Sequence, residues 1–255
     1  MTCRGLADSH VHLHAYGESE VAAMLDRAAE AGVECVVGVS VDLPSARRTL
    51  ELAGRFQTQV CAAVGLHPGH LTAMPDDATW AALEQLAEHP MVRAIGECGV
   101  EGVDGKASEL VQLAALTRQA RIARELGLPL LLHLRGDELI GPALGAVASA
   151  GVAERSVAHY FVGDHQLADR YLEAGLLIAL GKPVTRVENT ALRQAVAAIP
   201  LSRLLLETDT YPLPGRTTEP RDVRLVAEAI AELKGLAVEE VAQATGENLA
   251  RLLDL

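Results

Sequence analysis

The chain has 255 residues, 49% of them hydrophobic and 22% charged, so it is long enough to bury a large core. Its formal net charge of -12 excludes a basic surface for gripping long nucleic acid, because such binding depends on clustered Lys and Arg. Aromatic residues make up only 3% of the chain, which also excludes a broad platform for stacking single-stranded bases. Chains of this length commonly form one α/β barrel, and we expect a single domain over residues 1–255.

The chain shows no pattern typical of a leader peptide or a membrane span. The opening "MTCRGLAD" lacks a basic segment followed by an apolar run, and no stretch approaches the roughly 18 apolar residues of a spanning helix. The four cysteines are scattered without CxxC pairs, and three lie in apolar runs, so we expect reduced core thiols. These features predict a cytoplasmic protein without a membrane partner.

Short apolar runs alternate with amphipathic segments along the whole sequence. The runs predicted as strands are "GLADSHVHL", "ECVVGVSV", "QVCAAVGL", "VRAIGEC", "PLLLHL", "RSVAHYF", "LLIALG" and "RLLLETD". The helix-like segments include "ESEVAAMLDRAAEAG", "PSARRTLELAGRF", "ELVQLAALTRQARIARELG", "NTALRQAVAAI", "EPRDVRLVAEAIAELKG" and "AVEEVAQATGENLARLLDL". Eight alternations predict an α/β fold, a parallel (β/α)8 TIM-type barrel, with a doubly wound open sheet as the alternative.

The first strand ends in "ADSHVHLH", where three histidines alternate after an aspartate. Alternate residues of an extended strand point to the same face, so His10 and His12 are predicted to share one side of the barrel wall. The strand is expected to end before His14, for which we predict a supporting or loop position and no direct metal contact. A solvated strand face would also explain two histidines, so the remaining strands decide between these interpretations.

Unusual polar residues recur at the ends of almost every predicted strand. In a (β/α)8 barrel these ends form one mouth, where active sites are built. The residues are His10, His12, His67, Glu97, His133, His159 and Asp209. Imidazoles with carboxylates favour borderline divalent ions such as zinc, nickel or manganese over calcium, and we expect two ions per chain, magnesium being a further possibility. Glu97 could bridge the ions and Asp209 could take a proton from water, which predicts metal-assisted hydrolysis with both as catalytic residues.

The motifs resemble the TatD family of metal-dependent deoxyribonucleases within the amidohydrolase superfamily. The similarity runs through "DSHVHLH", "GLHPGH", "AIGECGVEG", "LLHLRGD", "VAHYFVGD" and "LLLETDTYPL" to the chain end, in matching order. It implies that one ion is held by His10, His12, Glu97 and Asp209. The other would be held by Glu97, His133 and His159. It further implies phosphodiester hydrolysis, with single-stranded DNA or RNA shortened from the 3′ end.

Three positions depart from the family pattern. Glu101 stands where the family has an aspartate that organises the pocket, and it is either functional or a solvated loop acid. The segment "HYFVGD" lacks a serine that the family has there and adds Asp164, which would repel a phosphate if it faced the site. Lys182 lies near the predicted mouth, as a substitute phosphate contact or a solvated lysine.

Substrate contacts are predicted at His67, Arg135 and Lys182, with Arg216 as a weaker phosphate candidate. His67 belongs to the "GLHP" motif, and Arg135 shares the strand face of His133. The expected substrate is a nucleic-acid end or a small phosphoester, and the expected assembly is a monomer or small homo-oligomer. Two alternatives stay open: a metal-dependent hydrolase of a small amide, lactone or phosphoester, and a metal-binding barrel without turnover.

Overall fold

The computed structural model describes residues 3–215 and 218–255, and it contains one sheet of eight parallel strands in chain order. The strands are β1 Leu6–Val11, β2 Val33–Val39, β3 Val60–Val64, β4 Val92–Glu101, β5 Leu130–Arg135, β6 Ser156–Ala158, β7 Leu177–Leu180 and β8 Leu204–Leu206. A parallel bridge between Val11 and Thr210 joins the last strand region to the first. The (β/α)8 barrel is therefore confirmed, and the open doubly wound sheet is wrong.

The helices surround the strands and follow the same order along the chain. They are α1 Glu18–Glu30, α2 Leu43–Arg55, α3 Asp77–Ala87, α4 Glu109–Leu126, α5 Asp137–Ala150, α6 His165–Glu173, α7 Thr190–Ala198, α8 Val223–Lys234 and α9 Val238–Leu253. The sequence patterns above do not name α3, α5 or α6. In α5 the apolar period is interrupted, because the helix contains Pro142 as well as glycines.

Alternation along each strand separates two apolar layers. Outward-facing side chains pack against the helices, whereas inward-facing ones form a second cluster inside the barrel. The inner cluster is built from small and medium residues of the strands together with side chains from the last helix, including Ala7, Cys35, Cys61, Ala63, Leu131, Val157, Leu205, Leu249 and Leu252. All four cysteines are buried free thiols. The barrel interior is thus filled, and the cavities that the polar strand-end residues line lie at the carboxyl ends of the strands.

The same alternation carries polar residues onto the inner face above this cluster. His133 lies two residues beyond Leu131, and His159 lies two residues beyond Val157. Gly99 lets β4 approach β5 at this level, because a Cβ there would lie 2.0 Å from the backbone oxygen of His133. The fold therefore delivers side chains from several strands to one layer.

Asp8 joins β1 to the segment that follows β8. Its carboxylate is fully buried and accepts hydrogen bonds from the backbone N–H of Thr208 at 3.0 Å and of His10 at 3.2 Å. The Thr208 hydroxyl contacts the other carboxylate oxygen of Asp8. Burial raises the pKa of Asp8 well above its usual range. The aspartate of the "ADSHVHLH" segment is thus a structural residue at the seam of the barrel.

Within the described ranges, no helix has the length and apolar character needed to cross a membrane.

Ser45 supplies a first test of the local structure, because it completes the N-terminal cap of α2. The Asp42 side chain accepts from the Ser45 N–H at 2.8 Å, and the Ser45 hydroxyl oxygen accepts from the Asp42 N–H at 2.9 Å. We expect Ser45→Ala to lower the free energy of unfolding in urea by about 1–2 kcal/mol. Thr72→Ala, at an exposed position outside the helices, is the control and should leave the midpoint unchanged. An unchanged midpoint for Ser45→Ala would contradict this role.

Candidate metal centre

Glu97 lies at the centre of the barrel mouth, near the end of β4, and is 2% exposed. Its two carboxylate oxygens face different imidazoles. Oε2 lies 3.3 Å from Nε2 of His10 and 3.5 Å from Nε2 of His12. Oε1 lies 2.9 Å from Nδ1 of His133 and 3.2 Å from Nε2 of His159. One buried carboxylate therefore has a separate set of nitrogens at each oxygen.

Asp209 adds a second carboxylate on the Oε2 side. It follows β8, and its Oδ1 lies 3.4 Å from Nε2 of His12. Its backbone N–H donates to the His10 carbonyl at 3.0 Å, which ties the segment after β8 to β1. Its side chain is 21% exposed, so it is the more accessible of the two carboxylates. The structure thus brings all six predicted metal ligands into one cluster; that they hold ions remains a prediction.

The donor set of this cluster fits divalent metal ions. One possible ligand atom from each of His10, His12 and Asp209 lies within 4.8 Å of the others, and the same holds for His10, Glu97 and His159. Neither ring nitrogen of His10 makes a hydrogen bond of normal geometry, although both are buried and Nε2 lies 3.3 Å from Oε2 of Glu97. Imidazole and carboxylate are the ligands that zinc and related ions take in proteins. A bound ion would take one of these nitrogens, the Nε2 that faces Glu97.

The imidazoles of the cluster stabilise the ionised forms of its two carboxylates, Glu97 and Asp209. Burial alone would raise the pKa of Glu97, but the imidazoles of His67, His159 and His10 hold that pKa well below its usual range. Burial opposes ionisation of Asp209 as well, yet the hydrogen bond from His12 and the nearby imidazoles lower its pKa. Both carboxylates are therefore ionised at neutral pH and suited to hold cations.

Glu101 decides which nitrogen of His133 faces the centre. It is the last residue of β4, is 4% exposed, and its Oε2 lies 3.0 Å from Nε2 of His133. Its Oε1 accepts from the N–H of Val103 at 2.9 Å and of Asp104 at 3.2 Å. With Nε2–H directed at Glu101, Nδ1 of His133 is left with its lone pair toward Glu97. The interpretation of Glu101 as a solvated loop acid is wrong.

Glu207 has the same relation to His159, and the sequence analysis misses it. Glu207 is fully buried, and its Oε1 lies 3.3 Å from Nδ1 of His159 and accepts from the Tyr160 N–H. The charges of Glu207 and Glu97 raise the pKa of His159 although burial opposes this. A signal was available in "LLLETD", since Glu207 lies two residues before Asp209 and directly after an apolar strand. His133 and His159, the two predicted ligands at Oε1 of Glu97, therefore each have a carboxylate behind them.

His67 lies in the cluster but in a different hydrogen-bonding state. Its Nε2 is 3.2 Å from Oε1 of Glu97, while its Nδ1 accepts from the Gly69 N–H at 2.9 Å. Because Nδ1 accepts, the ring proton lies on Nε2, so His67 presents a donor to the centre. This geometry favours the predicted hydrogen bond to substrate or water over a metal contact.

The other candidates lie at different distances from the centre. Arg135 ends β5, and its Nη1 donates to Oε2 of Glu101 at 3.1 Å. Nζ of Lys182 lies 4.0 Å from Oδ2 of Asp222, and Lys182 is not among the described residues that line the mouth. Asp164 accepts from the Leu167 N–H at 3.1 Å as the N-cap of α6, which explains this acid without a substrate. Arg216 lies outside the described residues.

His14 lies beyond β1, as expected, in a short 3-10 helix over Leu13–Ala15. Its ring is 5.6 Å from that of His12, and it belongs to none of the ligand groups found among residues 3–215 and 218–255. Burial lowers its pKa to about 4.

The cluster opens into a cavity of about 260 Å³, which we call the mouth cavity. It is lined by Glu97 and Asp209, by five histidines including His70, and by the side chains of Val41, Tyr211 and Leu213. A group entering this cavity would therefore meet the ionised carboxylates and imidazoles directly.

Comparison with known proteins identifies a consistent set of relatives. The model of the TatD-related DNase family matches residues 7–254. An uncharacterized metal-dependent hydrolase TatD of Mycobacterium tuberculosis is 35% identical over 98% of each chain. The 3′-5′ ssDNA/RNA exonuclease TatD of Erwinia amylovora is 31% identical over 91% of this chain and 93% of its own. Among solved structures, YjjV, the TatD homologue of Escherichia coli K12, superposes with a TM-score of 0.88 at 29% identity and full coverage of both chains.

The carboxylate behind His159 leads to a prediction about metal affinity. We expect Glu207→Gln to weaken binding of Mn²⁺ or Zn²⁺ by roughly 10-fold or more, because a neutral amide oxygen is a weaker acceptor for the Nδ1–H of His159 than the carboxylate that it replaces. Isothermal titration calorimetry of the ion-free protein measures this, and the melting temperature shows that the variant is folded. Glu88→Gln, at an exposed position after α3, is the matched control. Equal affinities of Glu207→Gln and wild type would contradict the role of Glu207.

Proposed function

Because this chain belongs to the TatD-related DNase family, we propose that it is a 3′ to 5′ exonuclease acting on single-stranded DNA or RNA with two divalent ions. The expected family is confirmed, and with it the assignment as a metal-dependent hydrolase. The polymer, the direction of cleavage, and the number and identity of the ions are part of the proposal.

The observation that carries the proposal is the division of the Glu97 carboxylate between two sets of nitrogens. His10, His12 and Asp209 would hold one ion with Oε2 of Glu97. His133 and His159 would hold the other with Oε1. The mixture of imidazole and carboxylate favours zinc, manganese or nickel over magnesium.

Bound ions would neutralise the phosphate charge and lower the pKa of water toward neutrality. Asp209 is ionised and reaches the mouth cavity, so its carboxylate can accept the proton of the attacking water. His67 presents its Nε2–H to the same cavity, where it can donate to a phosphate oxygen. A proton acceptor, Asp209, and a hydrogen-bond donor, His67, thus line the same small cavity.

The size and charge of the site favour a chain end as substrate. A mouth cavity of about 260 Å³ has room for a phosphate and its nearest sugar, whereas a duplex needs a long basic surface. The chain carries 22 basic against 34 acidic residues, so binding must come from the ions and the pocket. The free end of a single-stranded nucleic acid can enter such a pocket without contacting a long basic surface.

The test uses a 5′-labelled single-stranded oligonucleotide with Mn²⁺. We expect wild type to produce a ladder that shortens stepwise from the 3′ end. Asp209→Asn should lower kcat by roughly 100-fold or more, because the general base is lost. Asp169→Asn, on the exposed face of α6, is the control and should retain full activity.

An untouched oligonucleotide beside metal-dependent hydrolysis of a small ester or lactone would contradict the exonuclease and support the alternative substrate class. Metal-loaded protein that hydrolyses neither substrate would support a binding protein without turnover.

A further inference from the structure

A second cavity, which we call the side cavity, opens beside the metal centre. It measures about 590 Å³ and lies between the segments β5–α5 and β6–α6. His133, His159 and Asp209 line both this cavity and the mouth cavity, so the two spaces meet at the centre. The proposed function uses the mouth cavity alone and leaves the side cavity without a role.

The far end of the side cavity is apolar. Ile140 of α5 and Leu167 of α6 contribute aliphatic surface, and Val162 forms part of the rim with 60% of its surface exposed. The chain contains only two Phe, four Tyr and one Trp, and three of these seven residues line this space: Tyr160, which is partly exposed, and Phe161 and Tyr171, which are each 3% exposed. Tyr160 therefore offers a ring against which a planar group can lie, and Phe161 and Tyr171 form the apolar floor behind it.

Exposed apolar side chains are also concentrated on the mouth face. Of nine large apolar residues that are exposed in the described part of the chain, six lie in loops that follow strands: Met74, Val103, Val162, Val187, Tyr211 and Leu213. Val103 and Val162 lie at opposite sides of the side cavity, on the loops after β4 and β6. Apolar surface therefore leads from the solvent into this cavity.

The mouth cavity and the side cavity together form one space whose inner end is polar and whose outer end is apolar. The inner end is formed by ionised carboxylates and imidazoles that suit a phosphate through bound ions, and the outer end is apolar and aromatic. Arg135 also lines the side cavity and supplies a cation there, held by its hydrogen bond to Glu101 at 3.1 Å. A ligand that matches this order has a phosphate, a polar linker and a planar apolar ring, which is the order of groups in a nucleotide.

We propose that the side cavity binds the base of the 3′-terminal nucleotide while its phosphate lies at the metal centre. This inference rests on the proposed exonuclease function and specifies its substrate contact. The volume lies in the range of about 300–1,000 Å³ typical of small-ligand pockets. Ile140 of α5 and Leu167 and Tyr171 of α6 line the cavity away from the metal centre, and the base of a terminal nucleotide would lie against them. Stacking is tolerant of base identity, so any of the bases should be accepted.

Binding of small phosphates tests the cavity independently of catalysis. Calorimetry with Mn²⁺-loaded protein compares a nucleoside 5′-monophosphate with deoxyribose 5′-phosphate, which lacks the base. We expect the nucleotide to bind wild type at least about 10-fold more tightly. Leu167→Trp, which fills the cavity from α6, should remove this difference. Val187→Trp introduces the same ring on a mouth loop outside the side cavity and should preserve it.

Cleavage assays provide the second arm. Wild type should remove a normal 3′-terminal nucleotide at least about 10-fold faster, in kcat/KM, than a 3′-terminal abasic nucleotide. Leu167→Trp should slow only the first reaction, with metal content and melting temperature unchanged. Equal affinity of wild type for the two phosphates would overturn the base pocket. An uncut oligonucleotide together with tighter nucleotide binding would instead contradict the exonuclease and leave the base pocket supported.

Discussion

The carboxylate of Glu97, buried among five imidazoles within 3.5 Å, is the constraint on which the rest of the site depends. An isolated carboxylate at this depth would be strongly destabilised, so its charge has to be balanced by the groups around it. The histidines provide this balance from four different strand ends.

The barrel meets this constraint through ordinary strand alternation. Small inward side chains fill the lower interior, and the next inward positions carry His133, His159 and Glu207. Asp8 holds the first and last strand regions together, so that His10 and Asp209 stay on one side of Glu97. Behind the ring of ligands, Glu101 and Glu207 set the proton positions of two imidazoles. The packing of the barrel and its closure therefore fix both the positions of the site residues and the protonation of their imidazoles.

The sequence predicts those features that depend on one-dimensional patterns. Eight apolar runs and polar residues at their ends lead to the barrel and to His10, His12, Glu97, His133, His159 and Asp209. The position of Glu207 at a strand end marks it as a site candidate, but its pairing with His159 is a contact between distant segments that the sequence does not reveal. Glu101 and Asp164 look alike as loop acids, yet one is buried against His133 and the other caps α6. The side cavity also depends on how α5 and α6 pack, and α5 has a weak helical pattern.

The central claim is that Glu97 joins two metal sites, and metal content per chain tests it most directly. Wild type and Glu97→Ala are reloaded with Mn²⁺ or Zn²⁺ and freed of excess ion. Inductively coupled plasma mass spectrometry then measures the number of ions per chain in each protein. The account predicts two ions per chain in wild type and the loss of at least one of them in the folded variant, because Glu97 faces both ligand sets. Two ions retained in Glu97→Ala, or none in reloaded wild type, would contradict it.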